Sequence, residues 1–241
     1  MKIAQAGIIS TSIVVVMGVF IILPPYLPSQ KPVVGLLSFD ITDEQNLPQW
    51  CYDLSSMLQD RNVSATIFVT GQVAQKYPSC VSTLSQRNDV GSLTYDYFNL
   101  TGQDYAIQLD EVKSGKDAVD SAGHIDSRAF RAPYGQTDGN IYSVLNQSGI
   151  VADFSYQTQY NKYYNGKFLK FDDIEFGGTT HTPDFFRNLS TTEPIVIDFN
   201  NTTPVSNIDD FVSHLKSRHL ILLDASELTG VDLTVRGGQS P

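Results

Sequence analysis

Short, nearly continuous apolar runs alternate with helical patterns along most of this 241-residue chain. Val33–Ile41 and Ser64–Thr70 are runs of this kind, as expected of strands that are covered on both faces. Between them, Trp50, Leu54 and Met57 recur at helical spacing. Because repeated strand–helix alternation places strands parallel in one sheet, the sequence predicts an α/β fold whose sheet is open or closed into a barrel.

The alternation continues to residue 230, and three of its later elements carry specific expectations. One helix is predicted through Val73 to Leu84. Residues 103–122 are predicted to form an amphipathic helix. Its apolar side is formed by Ile107, Val112 and Val119. Residues 126–131 are predicted to form one strand, which ends before the turn residues Pro133 and Gly135 and so delivers Arg131 to a rim of the sheet.

The first 30 residues differ in kind from the rest. No charged residue lies between Ile3 and Gln30, and Gly7–Leu23 is almost wholly apolar. With its flanks this run reaches about 20 residues, which is enough for a helix to cross a hydrocarbon core. No small-residue cleavage site precedes the proline-rich spacer, so an uncleaved signal anchor is favoured over a cleaved signal peptide and over a buried core helix.

Two regions are therefore predicted: residues 1–30 as a transmembrane helix and spacer, and residues 31–241 as one domain. The second region shows no repeat and no break in composition. Lys2 precedes the apolar run, which favours an N-terminus on the inner side of the membrane. We expect a single-pass membrane protein whose C-terminal domain is extracellular.

Two further patterns fit an extracellular domain. Acceptor triplets for N-glycosylation occur at Asn62, Asn99, Asn146, Asn188, Asn200 and Asn201. The chain has two cysteines, Cys51 and Cys80, each in a predicted helix, and the two helices flank one strand. A disulfide between them is expected in an oxidising compartment, and two buried thiols are the alternative.

The charge balance excludes one class of partner. The chain carries 26 acidic and 16 basic residues, for a net charge of -10. This charge repels the phosphate backbone, so we expect no binding to nucleic acid.

Four segments carry a resemblance to a known family when they are taken in order. They are residues 64–79 (SATIFVTGQVAQKYPS), 89–100 (DVGSLTYDYFNL), 130–135 (FRAPYG) and 219–230 (HLILLDASELTG). Together they resemble the polysaccharide deacetylases, the NodB-homology domain, over nearly all of Val33–Gly230, and FRAPYG is identical to the R-x-P-Y-G motif of that family. The resemblance implies a distorted (β/α) barrel, here preceded by the transmembrane helix, with the active site at the carboxyl ends of the strands.

The resemblance also implies a metal-dependent site that this chain lacks. In the family, one Asp and two His hold a divalent metal that activates water, beside an Asp that serves as base. Here Asp40 occupies the base position, but the metal positions are Ile41, Leu93 and Tyr97. Because hydrocarbon side chains cannot coordinate a cation, we expect no metal cofactor and negligible hydrolysis.

The family positions that remain are read as a vestigial site. Arg131 and Tyr134 of FRAPYG are intact, and Asp153 falls where the family has an Asp that orients this arginine. We expect Arg131 to form a structural salt bridge with Asp153 and Asp40, at the edge of a pocket that has become apolar.

The general acid of the family, a His after the last long strand, is also replaced. Asp198 or Phe199 stands in its place within the run IVIDFN. The histidines of the chain are His124, His181, His214 and His219, and no two of them have the spacing of a ligand pair. A metal site assembled from distant loops stays open as an alternative.

Aromatic residues suggest a surface that binds sugar without hydrolysing it. Tyr156 and Tyr160 begin an aromatic-rich stretch, and Tyr95 and Tyr97 join it if the loops meet at one end of the sheet. Stacked rings suit the apolar faces of sugars, so these four tyrosines are candidate substrate-binding residues. Packing of loops onto the core and contact with a protein partner are the alternatives.

Three functions remain open from the sequence. The first is a membrane-anchored pseudoenzyme of the deacetylase fold that binds glycan or a cell-envelope partner. The second is an active, divergent carbohydrate deacetylase with a relocated metal or a metal-free route. The third is an accessory or scaffold subunit of a membrane protein complex. The loss of the metal ligands favours a pseudoenzyme.

Overall fold

The computed structural model of the chain describes residues 32–42, 44–155, 161–164, 167–170, 174–176, 194–218 and 220–237. All of these residues belong to one compact unit, Lys31–Pro241. Within these ranges, no helix is long and apolar enough to cross a membrane. Residues 1–30, to which the sequence assigns the anchor, lie outside the described residues.

Strands and helices alternate through most of the described residues. The strands are β1 (Val34–Ile41), β2 (Thr66–Val69), β3 (Asp89–Ser92), β4 (Ile125–Ser127), β5 (Ala129–Phe130), β6 (Ala152–Asp153), β7 (Asn161–Tyr164), β8 (Lys167–Lys170), β9 (Ile174–Phe176), β10 (Ile195–Asn200), β11 (Ile221–Leu223) and β12 (Thr234–Arg236). The helices are α1 (Leu47–Asp60), α2 (Gly71–Lys76), α3 (Pro78–Leu84), α4 (Tyr105–Gly123), α5 (Ile141–Gln147), α6 (Val205–Ser217) and α7 (Ala225–Thr229).

The main sheet is a curled and mostly parallel half-barrel. Its strands follow the order β8-β7-β6-β5-β3-β2-β1-β10-β9, and β11 also pairs with β1. The pairs from β6 through to β9 are parallel, whereas β7 pairs antiparallel with both β6 and β8. In the described residues this path has two ends, β8 and β9, so the α/β fold and the parallel sheet are confirmed but the sheet does not close into a full barrel.

Alternation along β1 explains why it is apolar throughout. Leu37, Phe39 and Ile41 join the large core cluster that also contains side chains of α1 and α6. Leu36 joins a second cluster on the other face of the sheet, with Phe68 and Phe154 among its members. A strand covered on both faces has no solvent side, which is what the continuous apolar run predicted.

The helix predicted through Val73 to Leu84 is two helices. α2 ends at Lys76 and α3 begins at Pro78. A proline has no N–H to donate and disfavours helical dihedrals in the residue before it, and Tyr77 accordingly has φ -127° and ψ 59°.

The expected apolar side of α4 is only partly correct. Val112 and Val119 are fully buried, but Ile107 is 43% exposed. Five residues separate Ile107 from Val112, which is a rotation of about 140° away from the buried face. That face instead includes Gly115, which lies against the loop after β3.

The strand predicted over residues 126–131 is interrupted at Arg128. β4 leaves the main sheet and pairs antiparallel with β12 in a two-stranded sheet, while β5 continues the parallel sheet. The sequence analysis did not predict β12, nor the short strands β7 to β9 that run through the aromatic-rich stretch.

Cys51 of α1 and Cys80 of α3 form a disulfide, with their Cα atoms 5.5 Å apart. Of the predicted glycosylation positions, Asn62, Asn99, Asn146 and Asn200 are exposed, and Asn188 lies outside the described residues. Asn201 contradicts the prediction, because it is buried and its amide oxygen accepts the Thr42 N–H at 3.1 Å.

Candidate functional site

The candidate site lies at the carboxyl ends of the parallel strands. Asp40 is the second-last residue of β1, Arg131 directly follows β5, and Leu93 directly follows β3. β10 runs parallel to β1 in a register that places Asp198 opposite Ser38. Because Ser38 and Asp40 are two residues apart on one strand, their side chains share a face of the sheet.

The Arg131 guanidinium connects these strands. Its Nη1 donates to Asp40 Oδ1 and to Asp198 Oδ1, both at 2.6 Å, and its Nη2 donates to Ser38 Oγ at 3.0 Å. The Ser38 hydroxyl donates in turn to Asp198 Oδ1 at 2.6 Å. We call Ser38, Asp40, Arg131 and Asp198 the Arg131 network.

The surroundings hold this guanidinium in a fixed place. Arg131 is 1% exposed, its Nε donates to the Phe154 carbonyl at 3.2 Å, and its plane lies 4.2 Å from the Phe68 ring centroid. An arginine that is removed from water in this way is stabilised by its fixed carboxylate partners and by the face of the aromatic ring.

Two carboxylates share one guanidinium, and this affects how Asp40 titrates. Burial raises the pKa of Asp40 to about 7, because loss of hydration outweighs the attraction of Arg131 and because Asp198 adds a repulsion. Near neutral pH Asp40 is therefore only partly ionised.

Two tyrosines form a wall beside the network. The Tyr134 N–H donates to the Tyr97 hydroxyl at 3.4 Å, and the two ring centroids lie 4.9 Å apart in an edge-to-face arrangement. Loss of hydration raises the pKa of the Tyr97 hydroxyl, and the nearby negative charges of Asp40 and Asp198 add to this shift. Tyr134 is 63% exposed, so one ring of the wall faces solvent.

Both tyrosines sit on backbone of positive φ, 64° at Tyr97 and 57° at Tyr134. This region is uncommon for residues other than glycine and is often found where a loop holds a side chain in a functional position.

The side chains at the family's metal positions do not fit a divalent metal. Ile41 and Leu93 carry no donor atom, are fully buried, and belong to apolar clusters on opposite faces of the sheet. Asp40 has one oxygen in an ion pair with Arg131, a fixed cation that would repel a metal ion. In the described ranges, no three His, Cys, Asp or Glu side chains are arranged to hold a metal.

The expectation of an apolar pocket formed by Ile41, Leu93 and Tyr97 is wrong for Ile41, whereas Leu93 and Tyr97 belong to or pack against the apolar cluster that contains Phe68. Ile41 packs into the core cluster that contains α1 and α6 rather than facing Arg131, because alternation along β1 puts it on the same side as Phe39. The face of β1 that meets Arg131 carries Ser38 and Asp40, so the floor of the site is charged.

The Asp153 carboxylate stabilises the turn that follows Arg131 through hydrogen bonds to Ser155. It accepts the Ser155 N–H at 2.9 Å and the Ser155 hydroxyl at 2.5 Å, while Ser155 Oγ accepts the Ala132 N–H at 2.8 Å. The salt bridges of the guanidinium among the described residues are with Asp40, as expected, and with Asp198, so the expected salt bridge with Asp153 is wrong.

Of the other sequence candidates, Tyr95 points away from the site. Its hydroxyl donates to Gln75 Oε1 at 2.8 Å, and it lines a groove between α2 and α4. The positive φ of Thr94, 61°, turns the chain there, so Tyr95 and Tyr97 do not share a cleft as predicted. Tyr156 and Tyr160 lie outside the described residues.

The described histidines do not gather near the site. His124 follows the end of α4, and His214 is on α6 with its Nε2 3.4 Å from Arg218 Nη2. His181 and His219 lie outside the described residues.

The sequence analysis missed Ser38 and left Asp198 undecided against Phe199. The structure separates the last two, because Phe199 joins the core cluster with α1 and α6 while Asp198 joins the Arg131 network. The signal was an acidic residue inside an apolar strand, which requires a partner when it is buried.

Comparison with known proteins agrees with the fold and the motifs. Residues 28–152, just over half of the chain, match the polysaccharide deacetylase family. A chitooligosaccharide deacetylase from Azorhizobium caulinodans is 30% identical over 99 residues, which are 39% of this chain and 46% of that protein. The match thus spans about half the length of this relative.

Two solved structures share the fold at low identity. A family 4 carbohydrate esterase from Streptomyces lividans has a TM-score of 0.61 and 21% identity, covering 84% of this chain and 97% of its own. A pseudoenzyme of the same esterase family from Bacillus anthracis has a TM-score of 0.63 and 13% identity, covering 83% of this chain and 66% of its own.

The family match covers the strand that carries Asp40, the loop that carries Leu93 and Tyr97, and the FRAPYG turn that carries Arg131. By this match and by the half-barrel sheet, the protein belongs to the polysaccharide deacetylase family.

Proposed function

We propose that this protein is a catalytically inactive member of the polysaccharide deacetylase family that binds glycan at the cleft between Asp40 and Tyr134. One observation carries the proposal: buried Ile41 and Leu93 stand at two of the three metal positions. Metal-dependent deacetylation needs a cation to activate water and to stabilise the oxyanion, and each of these effects is worth several kcal/mol, of order 10² to 10³ in rate or more.

The remaining acidic groups do not supply the missing chemistry. Asp40 and Asp198 both accept from Arg131 Nη1, and Asp198 also accepts from the Ser38 hydroxyl. With its pKa raised to about 7, Asp40 can take a proton from water, but no cluster of the described residues holds the cation that would activate this water and stabilise the oxyanion. Asp198 is buried and poorly placed to reach a leaving group.

Glycan binding is supported by what the cleft retains. Tyr134 exposes most of its ring beside the Tyr97 ring, and apolar sugar faces pack well on such surfaces. The relative from Azorhizobium caulinodans is named for chitooligosaccharides, which makes an oligomer of this kind the first ligand to test.

We also propose that the domain is extracellular and is held to the membrane by residues 1–30. The charge-free run Gly7–Leu23 supports the anchor. The Cys51–Cys80 disulfide and the exposed asparagines of four sequons support an oxidising, secretory compartment.

The test uses the full chain with N-acetylated chitotetraose. Acetate release is measured with zinc or cobalt added, next to Asp40→Asn, and glycan binding is measured by calorimetry. We expect no release above that of Asp40→Asn, together with binding that falls at least tenfold in Tyr134→Ala. Tyr52→Ala is the matched control, because Tyr52 on α1 is also 63% exposed.

Turnover by the wild-type chain that Asp40→Asn abolishes would overturn the proposal. A mutant of the pseudoenzyme from Bacillus anthracis has restored enzymatic activity, so a loss of activity on this fold has been reversed in that protein.

A further inference from the structure

The Arg131 network carries more negative than positive charge on the side that faces the cleft. Two carboxylates meet one guanidinium, and both use Oδ1 for their contacts with it. Among the described residues, no donor lies within hydrogen-bond distance of Oδ2 of either Asp40 or Asp198. Neither Oδ2 is among the fully buried atoms without a partner in the described residues, so both oxygens reach solvent and are open to a ligand.

A carboxylate oxygen that contacts no protein donor can accept from a cation or another strong donor of a ligand. Such a contact is stronger in a partly buried place than in water, because the charges are less screened there. Within the Arg131 network the guanidinium contacts the two Oδ1 atoms through Nη1 and Ser38 through Nη2, and neither contact involves an Oδ2 atom.

The wall of the cleft suits a cation as well. The electron-rich faces of Tyr97 and Tyr134 attract ammonium groups, and such contacts strengthen when water is excluded. The Tyr97 hydroxyl accepts from the Tyr134 N–H, so its own proton is available for a ligand oxygen. Both carboxylates act electrostatically on this hydroxyl, so the two tyrosines lie close to the Arg131 network.

From this arrangement we infer that the cleft binds the protonated amine of a de-N-acetylated amino sugar, with the ammonium between Asp40, Asp198 and the ring of Tyr97. An ammonium offers three donors and the positive charge that the network lacks. An N-acetylated sugar offers one amide N–H and no charge, so it leaves the two Oδ2 atoms without compensation. The inference rests on the proposed function, in which this cleft binds glycan.

The ligand class is therefore an oligosaccharide that a deacetylase has already acted on. The reaction that must precede binding is amide hydrolysis at the 2-position of the sugar, which releases acetate and leaves the amine. A family member without catalytic parts would then recognise the chemical product of its active relatives.

The experiment compares two probes on the full chain at pH 7 and low ionic strength. One is a tetramer of β-1,4-linked glucosamine, and the other is the fully N-acetylated tetramer of the same sugar. We expect the amine tetramer to bind at least tenfold more tightly. Asp40→Asn should remove this preference, while Asp60→Asn, which makes the same substitution at an exposed position on α1, should keep it.

Each of the following outcomes either supports or overturns the inference. A preference for the amine that is lost in Asp40→Asn supports the inference. Equal or tighter binding of the N-acetylated tetramer overturns it and leaves glycan binding standing. Amine binding that persists unchanged in both Asp40→Asn and Asp198→Asn also overturns it, because a polycation is then attracted only by the acidic surface. Failure of both tetramers to bind overturns the proposed function together with the inference.

Discussion

Asp40 is the residue whose environment differs most from that of an ordinary aspartate. Its carboxyl is largely removed from water, and it shares Arg131 with a second carboxyl. Its pKa is raised to about 7 in the folded protein, from 3.8 for the unperturbed group. The folded state therefore binds this proton more tightly than the unfolded state does.

This difference predicts how stability depends on pH. Below about pH 4 Asp40 is protonated in both states, and the advantage of the folded state is lost as pH rises toward 7. Relative to Asp40→Asn, the free energy of unfolding of the wild type should fall between about pH 4 and pH 7, by at most about 1.4 kcal/mol per pH unit. Above pH 7 the difference should be constant.

Urea unfolding of both proteins between pH 4.5 and 8 measures this difference. Trp50 is the single tryptophan and is buried, so its fluorescence reports on the core directly. The Asp224 carboxyl also has its pKa raised to about 7, mainly by burial, but it is present in both proteins and cancels. A difference that stays flat or grows with pH would contradict the assignment.

Among the elements, α4 packs closely against the loop that carries Tyr97. A Cβ at Gly115 would lie 2.5 Å from the carbonyl carbon and oxygen of Thr94 and 2.9 Å from the backbone nitrogen of Tyr95. Gly71 of α2 is in the same contact, because its Cβ would lie 2.6 Å from the Tyr95 ring. The helix and the loop therefore approach each other so closely that only glycine fits.

Gly115→Ala should consequently destabilise the protein. The clash is with backbone atoms, which cannot rotate away, so α4 or the loop must shift at a cost of about 1–3 kcal/mol. This cost exceeds the gain of up to about 1 kcal/mol in helix propensity. Chemical denaturation measures it, and the displaced loop should also weaken glycan binding at Tyr97.

Gly123→Ala is the matched control on the same helix. A Cβ there would meet side-chain atoms of Ile125 at 3.1 Å, and a side chain can adjust. We expect this variant to be neutral or slightly stabilising. Equal effects of the two substitutions would show that helix propensity, not the contact with Thr94, decides the result.

The elements also show which information a single sequence contains. The turn in FRAPYG is encoded locally, so the delivery of Arg131 to the rim was predictable from six residues. The pairing of Ser38 with Asp198 was not, because it depends on the register between strands 160 residues apart. The direction of Tyr95 depends on a positive φ at Thr94 and on Gly115, and neither signal stands out in the sequence.

For the molecule as a whole, the apolar core of the described domain is formed by residues of that domain. The three apolar clusters draw their members from residues 33 to 233, with side chains on both faces of the sheet. The disulfide also lies within this range. For the apolar run Gly7–Leu23, which lies outside the described residues, we propose the task of a membrane anchor on its composition alone.

A membrane anchor predicts that the full chain and residues 31–241 distribute differently between the membrane and soluble fractions. Expressed in a secretory pathway, the full chain should remain with membranes after alkaline carbonate washing, because about 20 apolar residues suffice to span the hydrocarbon core. Residues 31–241 behind a cleavable leader should be released in folded form. Replacing Val15 and Met17 by arginine in the full chain should abolish membrane retention, since each charge in the middle of such a helix costs about 2.5–3.5 kcal/mol. A different outcome is that the full chain is released from the membrane and has lost roughly the length of the apolar run. This outcome would show that the run is a cleaved signal peptide.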